Sequence, residues 1–483
     1  MSKPTLIILL VLALSISGAA YGQTGVGQIQ GTVADSSGAI VPNASVTLHR
    51  VQTGEDFATT TSGTGSFTFP TLRAGEYQIA VSMPGMKKWE GQVSLQVGQT
   101  AVVDPALSVA NVAEQVTIAG DVTPLVTTTS ATLSTVVERQ RVEQLPLNGR
   151  SVQSLIQITT PGIEGSGSQP RVFGLRDSAM EFVQDGVPLD DRNTGNIQSR
   201  PPGLDTVQEF RVETNNSSAK LDRPANAIMS TRGGTNQLHG SAFETGRNSG
   251  FGVARQRQDV FSKAPPLRRN EYGASIGGPV LIPKLYDGRN KTFFFAAWED
   301  LKSRQAATTP SAVWTDAMRH GDFSGLADAN GRKITIYDPL TVAGAPNYLK
   351  TPFNGNQIPM ARLSPLAKYV FGVTPLPTDS NVNPLVASNY FGLAPTNVDQ
   401  RTLTFRGDNH FGSKDQVFGR YSHGRWDQMN RRAFATGGNP ITTDGLWNRE
   451  TYGEGSNTQM ASWTHIFSPT FFVETVGTAS MIN

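Results

Sequence analysis

Apolar and polar residues alternate along several short segments between residues 28 and 108. Val46 and Leu48 alternate with polar neighbours, and Tyr77, Ile79 and Val81 do so further along. A period of two places the apolar side chains on one face of a β-strand. Short strands separated by close turns predict a β-sandwich over residues 23–108. Seven positions are expected to form its core: Val33, Val46, Leu48, Phe67, Tyr77, Ile79 and Val81.

Helical and extended patterns are mixed between residues 130 and 230. Apolar residues have helical spacing over residues 136–158, around a turn at 147–150 (LNGR), and Pro161 with Gly162 ends the pattern. Four shorter features follow: extended runs at 172–174, 180–183 and 207–212, and a hairpin turn at Asp185-Gly186. This mixture predicts a small α/β domain. The glycine-rich run 162–167 has no Lys and no following helix start, so it is not a phosphate-binding loop.

A period of two returns from about Leu238. Leu403 and Phe405 alternate with Thr402, Thr404 and Arg406. A membrane β-barrel with a wet interior needs one apolar and one polar face per strand. Soluble antiparallel sheets show the same alternation, so the pattern leaves both architectures open.

The connections between these strands differ in length. Residues 468–470 (SPT) form a predicted tight turn beside Phe467 and Phe471, as expected at a periplasmic rim with its aromatic girdle. The segment of residues 305–399 is long, irregular in its pattern and Pro-rich, as expected of an extracellular loop.

About seven strands are predicted between residues 238 and 483. Membrane β-barrels with a plugged lumen have about 22 strands of about 10 residues each. Residues 231–483, with their long loop, are too few for that number, so we expect an incomplete barrel and an N-terminal fragment of a longer protein. An open sheet would expose unpaired backbone edges to lipid.

Composition excludes several functional classes. Lys and Arg total 41 against 39 Asp and Glu, a net charge of +2, which gives no reason to expect a nucleic-acid partner. The chain has no cysteine, so disulfides, iron–sulfur clusters and cysteine nucleophiles are excluded. Its six histidines lack metal-ligand spacing, and no cofactor is expected. Residues 273–277 (GASIG) match a nucleophile elbow, but they lie in an alternating strand rather than before a helix. We therefore expect no enzyme activity.

The N-terminus has the pattern of an export signal. Lys3 precedes an apolar run of eleven residues, 6–16, which is too short to span a bilayer as a helix. Residues 20–22 (AYG) form a small-x-small cleavage site, so cleavage is predicted between Gly22 and Gln23. This signal peptide, residues 1–22, predicts an exported protein, which is periplasmic, secreted or a barrel in the cell outer membrane.

Several motifs occur together and in order. They are LPLNGRSVQSL (145–155), FVQDGVPLDD (182–191), DTVQEFRVETNNSSA (205–219), TRGGTNQLHG (231–240), LRRNEYGASIGGPV (267–280), KTFFFAAWEDLKS (291–303), GDFSG (321–325) and DQVFGRYS (415–422). This series resembles the plug-to-barrel region of TonB-dependent outer-membrane receptors, in particular the Oar-like group. Residues 31–85 resemble the carboxypeptidase-regulatory-like domain of that group, which is grouped with carbohydrate-binding-like folds.

The resemblance implies a mainly β protein. Its expected parts are an N-terminal β-sandwich at 23–108, a connector at 109–129, a small α/β plug at 130–230, and an incomplete antiparallel transmembrane β-barrel at 231–483. It also implies energised substrate uptake, with a TonB-type periplasmic energising protein, outer-membrane lipid and a substrate of glycan or peptide class as partners. The alternative is a surface adhesin or glycan-binding structural protein. The sandwich itself is expected to be a spacer or a binding module, not a peptidase.

In the resembled receptors, a short extended box before the plug is gripped by the energising protein through β-strand addition. The nearest match here has five residues: Glu114, Gln115, Val116, Thr117 and Ile118. The same residues also suit the last strand of the sandwich or the first strand of the plug, and the sequence leaves these alternatives open.

Overall fold

A computed structural model gives the fold of the protein. It describes residues 26–109, 116–121, 131–145, 150–164, 170–176, 178–190, 202–217, 221–251, 266–344, 349–412, 414–433, 447–468 and 471–482. The predicted signal peptide and its cleavage site at Gly22 and Gln23 lie outside these ranges. Within them, no helix is both long enough and apolar enough to cross a bilayer.

The N-terminal domain is a sandwich built from ten strands. They are β1 (Gly27–Thr32), β2 (Ala34–Asp35), β3 (Ser45–Arg50), β4 (Glu55–Thr60), β5 (Ser66–Leu72), β6 (Gly75–Ser82), β7 (Lys88–Leu95), β8 (Thr100–Val102), β9 (Ala106–Leu107) and β10 (Val116–Asp121). The sheet β10-β7-β6-β3-β4 has a partner sheet β5-β1-β8, and β2 pairs with β9. Strand β10 runs parallel to β7, so the sandwich sheet includes residues beyond 108.

The core of the sandwich follows the predicted alternation. All seven positions expected to be inside are buried. On β3, Val46 and Leu48 are fully buried, while Ser45 before them and Thr47 between them are exposed. The ring of Tyr77 is buried. Its hydroxyl donates a hydrogen bond to the carbonyl of Arg73 at 2.7 Å, so this polar group has a partner in the folded protein.

The second domain, called the plug for its position on the inner face of the C-terminal sheet, combines a mixed sheet with two helices. Its elements are β11 (Leu133–Val137), α1 (Arg139–Gln144), α2 (Val152–Thr159), β12 (Ile163–Glu164), β13 (Arg171–Val172), β14 (Met180–Gln184), β15 (Val187–Pro188), a 3-10 helix (Leu204–Thr206), β16 (Val207–Asn215) and β17 (Ala225–Thr231). The main sheet has the order β11-β16-β17-β14-β15. Leu155 and Ile156 of α2 pack with Phe210 of β16 in one apolar core.

One boundary in the plug was predicted wrongly. Val136 and Val137 were assigned to the helical pattern, but they end strand β11. Their β-branched side chains favour an extended backbone, and pairing with Phe210 and Arg211 of β16 fixes it. The helix begins at Arg139 instead.

The C-terminal half forms an antiparallel sheet, the wall. Its strands are β18 (His239–Asn248), β19 (Leu267–Pro279), β22 (Thr292–Ser311), β23 (Tyr390–Phe411), β24 (Asp415–Ala433), β25 (Trp447–Ser468) and β26 (Phe471–Ile482), with a small hairpin of β20 (Leu281–Ile282) and β21 (Tyr286–Asp287) between β19 and β22. The described wall has seven strands in the order β18-β19-β22-β23-β24-β25-β26, as predicted. Strands β18 and β26 stand at its two edges.

Two strands of the wall, β23 and β25, show faces of opposite polarity. On β23, Thr404 and Arg406 are buried, whereas Phe405 between them is 51% exposed. On β25, Ser462 and Thr464 are buried against exposed Trp463. The polar face therefore turns inward toward the plug, and the outer face carries large apolar side chains, as a lipid-facing surface requires.

The two ends of the wall differ in the length of their connections. One end, the short-turn rim, carries residues 280–291, Gly412 and Lys414 between β23 and β24, and the two-residue link between β25 and β26. Phe467 and Phe471 flank that link with ring centroids 5.2 Å apart. Its Pro469 and Thr470 lie outside the described residues.

The opposite end of the wall carries the connection between β22 and β23, residues 312–389. It contains α3 (Asp316–Arg319), α4 (Pro365–Val373) and several 3-10 turns. The loop predicted over residues 305–399 is therefore too long at both ends, because Gln305 pairs with Thr396 and the ladder continues to Ser311 with Tyr390. These pairs satisfy backbone groups that a loop would leave to water.

Candidate functional site

Asp185 lies at the tip of the plug hairpin that joins β14 to β15. Asp185 and Gly186 have φ angles of 49° and 84°, the left-handed pair that a two-residue hairpin turn requires. The turn directs the Asp185 carboxylate into a buried space between the plug and the wall. Thr231, at the end of β17, holds it there, because its amide and hydroxyl donate to the carboxylate at 2.9 and 2.6 Å.

Two arginines of the wall meet this carboxylate. The Nε atom of Arg420 on β24 lies 3.2 Å from Asp185, and Nη1 of Arg406 on β23 lies 3.5 Å away. Burial alone would raise the pKa of Asp185, but these two guanidinium groups and the Thr231 donors hold it below its ordinary value. The plug is thus fixed to the wall by a buried, ionised carboxylate.

Arg406 extends the contact toward the short-turn rim. Its Nη1 donates to the Thr231 carbonyl at 3.0 Å, and its Nε lies 3.1 Å from Asp408, two residues along the same strand face. The guanidinium also lies over the ring of Phe418, 4.4 Å from its centroid. Arg406 therefore joins the plug backbone to a second buried acid.

The sandwich contacts the wall at that acid. Arg73 of the sandwich lies 2.7 Å from Asp408, whose side chain is only 1% exposed. Beside this pair, Glu55 of β4 lies 2.6 Å from the ring of His410, and both side chains are buried. Asn236, just before β18, donates to the Thr53 carbonyl at 2.8 Å. The sandwich is therefore docked at the short-turn rim.

The sandwich also contacts the plug. The amide of Val97 donates to the Glu209 carboxylate of β16, and Arg211 donates to the Gly98 carbonyl at 3.4 Å. Burial raises the pKa of Glu209 to about 8, against the opposing effect of the Val97 amide. Glu138 adds like-charge repulsion in the same direction as burial. This carboxyl group is therefore uncharged over much of the neutral pH range.

A second junction joins the plug to strands β19 and β22. Arg150, before α2, lies 2.9 Å from Asp205 and 3.8 Å from Glu299 on β22, and its amide donates to Glu271 on β19 at 2.9 Å. Its guanidinium also stacks on Phe243 of β18, 3.7 Å from the ring centroid. One arginine from the predicted LNGR turn thus links the plug to three wall strands.

A cavity of about 100 Å³ lies where the three domains meet, and Arg50, Arg73, Asp185 and Arg406 are among its lining residues. In the part of the chain that the structure describes, no group of three or more His, Cys, Asp or Glu is gathered as a metal site would require. The charged residues at the junction bind one another across the three domains, an arrangement suited to docking.

The candidate box for the energising protein lies partly within the described chain. Val116, Thr117 and Ile118 lie in β10, at the edge of the sandwich sheet, and pair with Lys88, Trp89 and Glu90 of β7. Glu114 and Gln115 lie outside the described residues. The GASIG sequence at residues 273–277 lies within strand β19, which continues to Pro279, so the strand–turn–helix context of a nucleophile elbow is missing there.

Residues 230–483 match the family described as outer membrane beta barrel domain, more than half of the chain. The chain belongs to this family. The protein is therefore an outer-membrane β-barrel protein. Residues 28–108 match the carboxypeptidase regulatory-like domain, which identifies the docked sandwich. No curated protein matches the chain.

Two solved receptor structures are similar to the chain at low identity. The siderophore receptor PiuA from Acinetobacter baumannii is 10% identical, with a TM-score of 0.35 over 73% of this chain and 46% of the receptor. The ferric enterobactin receptor PfeA from Pseudomonas aeruginosa, as a mutant, is also 10% identical, with a TM-score of 0.33 over 69% of this chain and 46% of the receptor. The chain thus spans about half the length of these receptors.

Sequence reasoning did not single out the residues of the three-domain junction. Asp185 was predicted only as a turn residue, and Arg406 only as a polar member of an alternating strand. The available signal was an Arg at an inward position on two neighbouring strands, Arg406 and Arg420, which the register places directly opposite each other. A buried charge of that kind requires a counter-ion.

Proposed function

We propose that this protein is the plug-bearing part of an energised outer-membrane transporter of the TonB-dependent, Oar-like kind. The observation that carries the proposal is the ion-paired seating of Asp185 between Arg406 and Arg420. A separate domain held on the polar face of a membrane wall by buried ion pairs blocks passage until those pairs are broken. Work from the inner membrane supplies the energy to break them, and substrate then passes without any covalent chemistry.

The proposed division of the chain follows the sequence expectation. A signal peptide (1–22) exports it, and the sandwich (23–108), connector (109–129), plug (130–230) and barrel segment (231–483) follow. The short-turn rim then faces the periplasm and residues 312–389 face outward. The substrate, of glycan or peptide class, enters from the long-loop side.

The partner is a TonB-type periplasmic energising protein. We propose that it reaches the segment Glu114–Ile118, whose last three residues lie on edge strand β10. An edge strand presents backbone donors and acceptors to an added strand, and this suits β-augmentation. Docking of the sandwich at the short-turn rim supports this proposal, because it holds the sandwich on the side of the wall that we propose faces the periplasm.

In vivo photo-crosslinking tests this function without knowledge of the substrate. A photo-reactive amino acid at Thr117, in the full-length gene product, is expected to form an adduct with the energising protein in the outer-membrane fraction. The same amino acid at Ser37, in an exposed turn of the sandwich, serves as the control and should give none. An adhesin or glycan-binding structural protein has no need of this contact. Absence of an adduct at Thr117, together with surface binding that persists in de-energised cells, would favour that alternative.

A further inference from the structure

The sandwich spans the boundary between the plug and the wall. Through the turn at Val97 and Gly98 it contacts Glu209 and Arg211 of the plug. Through Arg73 it contacts Asp408 of the wall. A domain attached to both sides of a boundary opposes their separation, because the plug cannot leave the wall without breaking one set of these contacts.

The acid that receives the sandwich also positions the arginine that holds the plug. Asp408 lies 2.7 Å from Arg73 and 3.1 Å from Arg406, and Arg406 in turn donates to the Thr231 carbonyl of the plug. The ring of Phe418 lies against both guanidinium groups, 5.3 Å from that of Arg73 and 4.4 Å from that of Arg406. Residues that share a partner within one buried network are coupled energetically, so a change at Arg73 reaches the plug contact.

We propose that the docked sandwich acts as a latch that keeps the plug in place on the wall. Arg73 is the residue that keeps the sandwich docked, through its ion pair with Asp408. Undocking of the sandwich removes one cation from Asp408 and leaves the Asp408–Arg406 pair free to rearrange away from the plug. It also removes the direct sandwich contacts to β16. This role is separate from energised transport, because plug seating is measurable in the absence of any substrate or energy source.

The absence of native cysteine makes thiol labelling a clean measurement. Ser275 lies on the inner face of β19 and is 6% exposed; its hydroxyl lies 2.8 Å from that of Ser241, which donates to Asp205 of the plug at 3.0 Å. Ser275→Cys therefore reports whether the plug covers the wall. Thr53 is 2% exposed at the sandwich–wall contact, and Thr53→Cys reports docking of the sandwich.

The experiment compares maleimide labelling rates in purified full-length protein in detergent. Arg73→Gln is expected to accelerate labelling of both the Thr53→Cys reporter and the Ser275→Cys reporter by at least about tenfold, as loss of one partner from a buried ion pair implies. Arg73→Lys keeps the charge and should restore most of the protection. Arg289→Gln is the matched control, since its pair with Asp287 is exposed at the same rim.

Each remaining outcome decides against the latch. If Arg73→Gln accelerates labelling at position 53 but not at position 275, the sandwich docks without holding the plug. If neither rate changes, Arg73 does not hold the docked sandwich. Should Arg73→Gln fail to reach the membrane, Glu55→Gln with the same reporters gives the same decision, because the Glu55–His410 pair belongs to the same docking contact. A failed crosslink at Thr117 would leave these labelling results unaffected, so the transport proposal and the latch fail separately.

Discussion

The Nε atom of Arg420 lies 3.2 Å from the Asp185 carboxylate, so a strand of the membrane wall and the tip of a plug hairpin share one buried ion pair. Arg406 approaches the same carboxylate from the neighbouring strand. The plug is therefore held where two adjacent wall strands each place an arginine, and the single carboxylate of Asp185 pairs with both.

Asp185→Asn is expected to loosen the plug. The amide keeps the size and much of the Thr231 contact but leaves two buried guanidinium groups with less counter-charge, a loss of about 3–5 kcal/mol for a buried pair. Labelling of the Ser275→Cys reporter should accelerate, and cells should become more sensitive to bulky antibiotics. Asp287→Asn, in the exposed pair with Arg289, is the control and should change neither. Unchanged labelling in Asp185→Asn would show that the hairpin tip does not hold the plug.

Glu209 is expected to make sandwich docking sensitive to pH. Its pKa is raised from 4.5 to about 8 by burial, so the folded state binds its proton more tightly than the unfolded state does. Stability from this group is therefore full below pH 4.5 and falls as pH rises toward about 8.

Glu209→Gln removes this dependence while its carbonyl oxygen still accepts from the Val97 amide. The thermal midpoint of the parental protein should decrease as the pH is raised from about 5 to about 8.5, a pH window set by the pKa shift. The variant should show a flatter profile and a higher midpoint at the alkaline end. Glu213→Gln, on the same strand, serves as a comparison. Parallel profiles for the parental protein and Glu209→Gln would contradict the assignment.

A charged side chain on the outer face of the wall should be destabilising. Phe405 is 51% exposed and lies between the inward residues Thr404 and Arg406. Phe405→Arg places a guanidinium toward lipid and is expected to cost about 2–4 kcal/mol near the bilayer midplane. The amount of protein in the outer-membrane fraction should fall accordingly. Phe405→Leu keeps an apolar side chain and should be tolerated; equal membrane levels for the two variants would mean that this face does not meet lipid.

The sandwich should fold by itself when its last strand is included. Because β10 pairs with β7, the segment to express is residues 26–121 rather than 28–108. It should give β-type circular dichroism and one cooperative thermal transition. Leu48→Ala, at a fully buried position, should lower the free energy of unfolding by about 2–5 kcal/mol, whereas Ser37→Ala in an exposed turn should change it little. A disordered spectrum for residues 26–121 would refute an independent domain.

Local periodicity was sufficient to predict most of the strands and core positions of this protein. The seven core positions of the sandwich were identified from the sequence, because a strand buries every second residue whatever it packs against. They are Val33, Val46, Leu48, Phe67, Tyr77, Ile79 and Val81. The Asp185-Gly186 turn was also predictable, since few residues adopt two successive left-handed conformations. The seven wall strands followed from the same alternation and from the turns between them.

Tertiary structure alone decided which charges meet. Arg73, Asp185 and Asp408 lie far apart along the chain, one in each domain, and nothing in their local sequence distinguishes them from solvated charges. Their pairing depends on strand register, which sets Arg406 opposite Arg420, and on docking of the sandwich at the short-turn rim. Ion pairs act over a few ångströms and carry no sequence period, so only the folded arrangement of the three domains reveals them.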